Sequence, residues 1–184
     1  MKIAVLLASG FEEAEALFAT DIFRRANIKT DLVSINAKKT VVGSHDIEVV
    51  ADCVLDDDIY NYDVVVLPGG LPGATNLRDD KRVIKVIKYF YENDKYIGAI
   101  CAAPIVLAKA DIIKGKNITS YPGFEKELKE GNYLEDKVVV DGKIVTARGP
   151  AITMDFAFKI IELLGYDTSK LKEGMLYNML MQTR

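Results

Sequence analysis

The chain has 184 residues, 49% of them hydrophobic and 28% charged, with a net charge of −3. That is about one domain's length, expected to span residues 1–184 with an ordinary core, and the slight negative charge argues against nucleic acid or an anionic membrane as partner. Two cysteines, Cys53 and Cys101, are too few for a disulfide framework, and a single histidine beside them is poor material for zinc, so no metal is expected.

The run Met1–Gly10 is apolar but short. Glu12, Glu13 and Glu15 follow it where a signal-peptide cleavage region would stand. The longest charge-free apolar run, Ile97–Ala108, is too short to cross a bilayer and contains Pro104. A cytoplasmic, reduced protein is expected.

In chain order, KIAVLLA (2–8) reads as a buried strand, residues 12–26 as a helix and TDLVSI (30–35) as a strand. VVGSHDIEVV (41–50) suggests a hairpin turning near Gly43-Ser44, and YDVVVLP (62–68) a buried strand ended by Pro68-Gly69-Gly70. A lysine-rich amphipathic helix is expected over 79–93, a strand over 95–100, a helix over 102–110 and a strand over 117–122. KVVVDGKIVTA (137–147) is a β-hairpin with Asp141-Gly142 at its turn. Residues 150–164 form a helix opened by Pro150 and closed by Gly165, and 168–182 is expected to be helical. Strands alternating with helices predict a mostly parallel sheet covered on both faces. Sites in such sheets lie beyond the carboxyl ends of the strands. That gathers ASGFEEAE, PGGLPGA and Cys101 at one edge.

Cys101 stands where a strand stops and a helix starts at once. A tight corner of this kind strains the backbone and turns the side chain outward, as in a nucleophile elbow. The flanking Gly98, Ala99, Ala102 and Ala103 are small enough to permit it. A helix amino terminus there would favour thiolate and lower the thiol pKa. The local sequence fits a small buried core cysteine equally well. Cys53, before an acidic turn, reads as structural.

Helical phase supplies a second clue. With Phe11 as reference, Phe18 and Ile22 mark the apolar face, Glu12 and Glu13 point to solvent, and Glu15 falls within the apolar stripe with Arg25 near its edge. A carboxylate aimed inward is either paired, for instance with a backbone N–H, or tuned for function. PGGLPGA lacks the GxGxxG pattern and the Walker lysine. Its glycines would bring backbone N–H groups to a reacting centre, forming an oxyanion hole with Ala102, or simply make a turn. His45, the single histidine, sits in the hairpin rather than in the strand-end loops.

GFEEAEAL, YDVVVLPGG, GAICAAP and TARGPA together resemble, in order and spacing, the ThiJ/PfpI superfamily, in the branch of the parkinsonism-associated protein deglycase. The resemblance implies a flavodoxin-like three-layer α/β sandwich of the class I glutamine amidotransferase type, usually a homodimer and without a cofactor. It also implies a nucleophilic, oxidation-sensitive cysteine at Cys101, a protonated acid at Glu15, and backbone donors at Gly69 and Gly70. The peptidase branch has a histidine directly after the cysteine; Ala102 here disfavours proteolysis. Tyr121 stands where several members of the branch have a histidine before proline, and tyrosine is a poor base at neutral pH. In related dimers the hairpin carrying His45 tends to lie near the partner's site, so His45 is an accessory candidate across the interface.

Two functions follow as expectations. One is a cofactor-free glyoxalase or deglycase acting on small reactive carbonyls, such as methylglyoxal or glycated side chains. The other is a redox-sensing stress protein or chaperone using oxidation of Cys101. A role in thiamine precursor metabolism has no support in the residues.

Overall fold

In the computed structural model, which describes residues 1–181, β1 (Lys2–Leu7) is an inner strand of a seven-stranded sheet. Its neighbours are β2 (Lys29–Ser34) on one side and β6 (Val64–Leu67) on the other, both parallel to it. Beyond β2 lies the two-residue β5 (Cys53–Val54); beyond β6 come β7 (Tyr96–Ile100), β11 (Ile144–Ala147) and β10 (Val138–Asp141). Within this sheet, only the β10–β11 pairing is antiparallel. The order β2-β1-β6-β7-β11 is the flavodoxin-like one, and the chain reverses direction across the sheet between β1 and β6.

The central strands are apolar on both faces, and alternate residues enter two different cores. Ala4 and Leu6 join a core with Leu77, Ile87, Phe90 and Val106; Ile3, Val5 and Leu7 join one with Phe23, Phe156 and Ile160. The first core is closed by α2 (Gly73–Asp79), α3 (Lys81–Glu92) and α4 (Pro104–Lys109), the second by α1 (Glu13–Arg25) and α5 (Thr153–Leu163). Helix α3 shows the underlying logic: Val83, Val86, Ile87 and Phe90 recur at helical spacing on its buried face, and Asp80 caps it by accepting the Arg82 N–H at 2.8 Å. Gly98 leaves room for α5, since a side chain there would lie 2.8 Å from the Phe156 ring.

The expected elements differ from the structure at three places. Helix α2 occupies a stretch expected as loop, because its Pro72-Gly73 start masks it in the sequence. The strand expected over 117–122 shrinks to β8 (Asn117–Ile118), which pairs with β9 (Asn132–Tyr133) in a separate small sheet. Thr119 N–H instead bonds the Thr146 hydroxyl at 3.0 Å. The carboxyl-terminal helix is two, α6 (Ser169–Gly174) and α7 (Tyr177–Met181), parted at Leu176, whose φ is +58°. Residue 182, the end of that expectation, lies outside the described residues. The hairpin at 41–50 forms as expected, from β3 (Thr40–Val42) and β4 (Glu48–Val50).

Among the described residues no helix is long and apolar enough to cross a membrane.

Candidate active site

The loops after β1 and β6 lock together beyond the strand ends, at the point where the chain reverses across the sheet. Glu12 N–H donates to the Gly69 carbonyl at 2.9 Å, and Gly73 N–H donates to the Gly10 carbonyl at 3.0 Å. Gly70 holds φ at +81°, and a side chain on it would strike the backbone of Gly10, Phe11 and Glu12. The glycines therefore serve close approach between two loops.

Cys101 follows β7 with φ at +62°, a conformation that costs a non-glycine residue about 1–2 kcal/mol. Its backbone is pinned on both sides. Its N–H donates to Ala147 at the end of β11 at 2.9 Å, and its carbonyl accepts the Tyr121 N–H at 2.9 Å. The elbow expected from the small flanking residues is thus present, although α4 begins only at Pro104, after a turn through Ala102 and Ala103.

Glu15, on the first turn of α1, is 1% exposed. Its Oε2 accepts the Gly69 N–H at 2.7 Å, while Oε1 is buried without a hydrogen-bond partner. Gly69 lies between this carboxyl and the cysteine: a Cβ on it would sit 2.7 Å from the Cys101 Cβ and 2.8 Å from Glu15 Oε2. The Gly69 N–H is therefore committed to Glu15 and is not a free oxyanion donor, contrary to the sequence-based expectation. The N–H groups of Gly70 and Ala102 are the ones that favour negative charge on the Cys101 sulfur.

Electrostatics corrects a second expectation. The thiol pKa does not fall through a helix terminus; burial first, and then the charge of Glu15, push it up to about 12. Burial raises Glu15 to about 7 against the lowering effect of the Gly69 N–H. The two titrate as a pair, losing a first proton near neutrality and a second far above it. In between, one negative charge is shared. When Glu15 keeps the remaining proton, its repulsion of the thiolate is gone and the N–H groups of Gly70 and Ala102 act on sulfur against burial alone.

The other predicted residues fall as follows. His45 reaches the cleft of its own chain, because the β3–β4 hairpin folds back over the strand ends through Gly10 N–H to Val42 (2.8 Å) and Ser44 N–H to Phe11 (2.8 Å). The buried Glu13 anchors it, with Oε1 accepting the His45 N–H at 2.7 Å and Oε2 facing His45 Nδ1 at 2.8 Å. Glu13 was expected in solvent. Burial works to raise its pKa, yet the bonds from His45 and Ser44 hold it at about 2, and the bond to Glu13, with the charge of Glu12, raises the His45 pKa in turn. Phe18, expected on the buried stripe, is 38% exposed, because Ala19 and Phe23 take the core-facing positions. Arg25 plays no part in the cleft. It pairs with Asp21 at 2.6 Å, ten residues and so about 15 Å along the helix from Glu15.

Glu12, Glu13 and His45 offer three ligand atoms within 4.8 Å of one another, but they bond among themselves and with Ser44. Cys53 lines a different cleft, among Asp31, Asp52 and Asp56; burial and these charges raise its thiol pKa.

Cys101, Gly70 and Ala102 line a cleft of about 440 Å3, together with Glu12, Ser44 and His45 from the start of α1 and the hairpin, and Leu71, Tyr121, Phe124 and Pro150. The Phe124 contribution was not anticipated from sequence, because nothing in residues 119–125 reveals that this segment turns back onto Cys101.

The DJ-1/PfpI family model matches residues 1–163. The Parkinson disease protein 7 homolog of Danio rerio is 37% identical over 165 residues, covering 87% of each chain. The crystal structure of Drosophila melanogaster DJ-1beta superposes with a TM-score of 0.91 at 38% identity, over 95% of this chain and 97% of the other. Toxoplasma gondii DJ-1, solved in an oxidized form, gives a TM-score of 0.87 at 33% identity over the same shares. With a family model spanning the sheet, both cores and every residue of the cleft, the chain belongs to the DJ-1/PfpI family.

Proposed function

We propose that this protein converts reactive dicarbonyls to hydroxy acids at Cys101, with Glu15 as the proton carrier and without a cofactor. One observation carries the reading: the buried Glu15 carboxyl, one oxygen of which has no hydrogen-bond partner, stands across Gly69 from the Cys101 side chain. The Cys101 sulfur adds to the aldehyde carbon of a 2-oxoaldehyde, forming a hemithioacetal. Glu15 then removes the proton on that carbon and returns it to the neighbouring one. The aldehyde carbon is thereby oxidised to a thioester while the ketone carbon is reduced to an alcohol. Water cleaves the thioester, releasing the hydroxy acid and the free thiol, so no external oxidant or reductant is consumed. The N–H groups of Gly70 and Ala102 are suited to stabilise oxyanions formed on the way. Lactate formation from methylglyoxal, abolished in Cys101→Ser, tests the reading.

A second reading is favoured by the oxidized relative from Toxoplasma gondii. Two equivalents of hydrogen peroxide would carry Cys101 through a sulfenic to a sulfinic acid, each peroxide leaving as water, with protonated Glu15 donating to the new oxygens. The protein would then act as a redox-sensing stress protein. Mass spectrometry after limiting peroxide distinguishes it by two oxygen atoms added at Cys101 with no loss of fold.

A homodimer fits either reading. Phe18 on α1 and Ile47 and Val50 on the hairpin are exposed apolar side chains, 38%, 51% and 70% accessible, which a second copy would cover.

A further inference from the structure

We infer that the cleft beside Cys101 is built to hold an aromatic ring, so that it favours aryl-substituted dicarbonyls over methylglyoxal. The substrate class rests on the dicarbonyl reading above; the ring site does not.

Size gives the first reason. A cleft of about 440 Å3 lies within the range that accommodates whole drug-sized ligands, far more than a three-carbon dicarbonyl fills. The next reason is the lining. Tyr121 is 47% exposed and Leu71 55% exposed, and Phe124 joins them in the same cleft, so large apolar surface is left facing water beside the thiol.

These aromatic residues are also held in place. The Tyr121 N–H is bonded to the carbonyl of Cys101 itself, which ties the ring's position to that of the sulfur. Behind the ring is Gly149, where an added Cβ would lie 3.2 Å from Tyr121 Cδ2; the ring thus packs against bare backbone. The turn that follows is fixed as well, because Gly123 N–H donates to the Glu125 carboxylate at 2.9 Å and Phe124 N–H reaches the Tyr121 carbonyl at 3.4 Å. A preorganised aromatic wall loses little entropy on receiving a ligand ring.

The polar groups of the cleft argue against a charged substituent. Ser44 and His45 already bond to Glu13, and Glu12 would repel an anion. Among the described residues no lysine or arginine lines the cleft to receive a carboxylate or phosphate.

The test uses the full chain and two neutral ketones without a reactive aldehyde, 2-hydroxyacetophenone and hydroxyacetone, which differ by phenyl against methyl. Calorimetric or NMR titration should give about tenfold tighter binding of the aryl compound. That ratio should fall several-fold in Tyr121→Ala and in Phe124→Ala and persist in Tyr121→Phe, which keeps the ring. In parallel, kcat/KM for phenylglyoxal should exceed that for methylglyoxal in the same order of variants. Equal affinities for the two ketones, or a ratio that survives both alanine variants, would overturn the ring site whatever the turnover. Selective aryl binding without turnover of either aldehyde would uphold the ring site and overturn the proposed reaction instead.

Discussion

Gly69 stands between Cys101 and Glu15 so closely that a single methyl group would touch both, at 2.7 Å from the Cys101 Cβ and 2.8 Å from Glu15 Oε2. Its N–H holds the carboxyl at 2.7 Å, so one residue sets both the spacing and the orientation of the pair. Gly69→Ala should therefore cost about 1–3 kcal/mol through overpacking. It should also slow alkylation of Cys101 far more than the loss of fold explains. Chemical denaturation and iodoacetamide kinetics on the same sample check this; wild-type kinetics in the alanine variant would show that the spacing is not critical.

The pair's protonation gives a pH signature. Burial raises Glu15 from its ordinary 4.5 to about 7 in the folded protein. A raised carboxyl binds its proton more tightly when folded. Its stabilising effect is complete below 4.5 and is lost as pH rises through 7, by about 3 kcal/mol at most. Glu15→Gln does not titrate, so its stability relative to wild type should increase between pH 5 and pH 8, measured by urea unfolding. The thiol should also respond. Removing the Glu15 charge takes away one cause of the raised thiol pKa, so the alkylation midpoint should fall from wild type to Glu15→Gln, which retains a donor to sulfur, and stand higher in Glu15→Leu, which has none.

Cys101 should be alkylated and oxidised before Cys53. Both thiols are raised by burial, but only Cys101 has a proton-sharing acid and backbone N–H groups aimed at sulfur, whereas Cys53 faces Asp31, Asp52 and Asp56. Mass spectrometry of tryptic peptides after limiting iodoacetamide at pH 8 reads the order directly.

These contrasts show what could be read in the sequence. The sheet and its helices were legible because alternating buried strands and amphipathic helices carry their own periods. Glu15 and Cys101 were legible for local reasons, an acid within an apolar stripe and a cysteine at a crowded corner. Glu13 was misread because helical phase does not register a hairpin 30 residues away folding over its side chain. The sign of the Cys101 shift was misread because it depends on burial and on the charge of Glu15, both products of tertiary packing. Phe18 stood out as apolar, but its phase alone did not say whether it faces the core or a partner.

The exposed Phe18, Ile47 and Val50 lead to a further expectation. Sedimentation at micromolar concentration should show a symmetric dimer, and Phe18→Lys with Val50→Lys should shift it to monomer without loss of secondary structure. A wild-type monomer would leave the cleft, including His45, complete within one chain.

The central claim is that Cys101 and Glu15 act together on a dicarbonyl. It is tested most directly by single-turnover lactate formation from methylglyoxal at pH 7.5 in wild type, Cys101→Ser and Glu15→Gln. Lactate should form in wild type, vanish in Cys101→Ser, and fall at least a hundredfold in Glu15→Gln while the thiol of that variant still alkylates. Undiminished lactate formation in Glu15→Gln would contradict the claim.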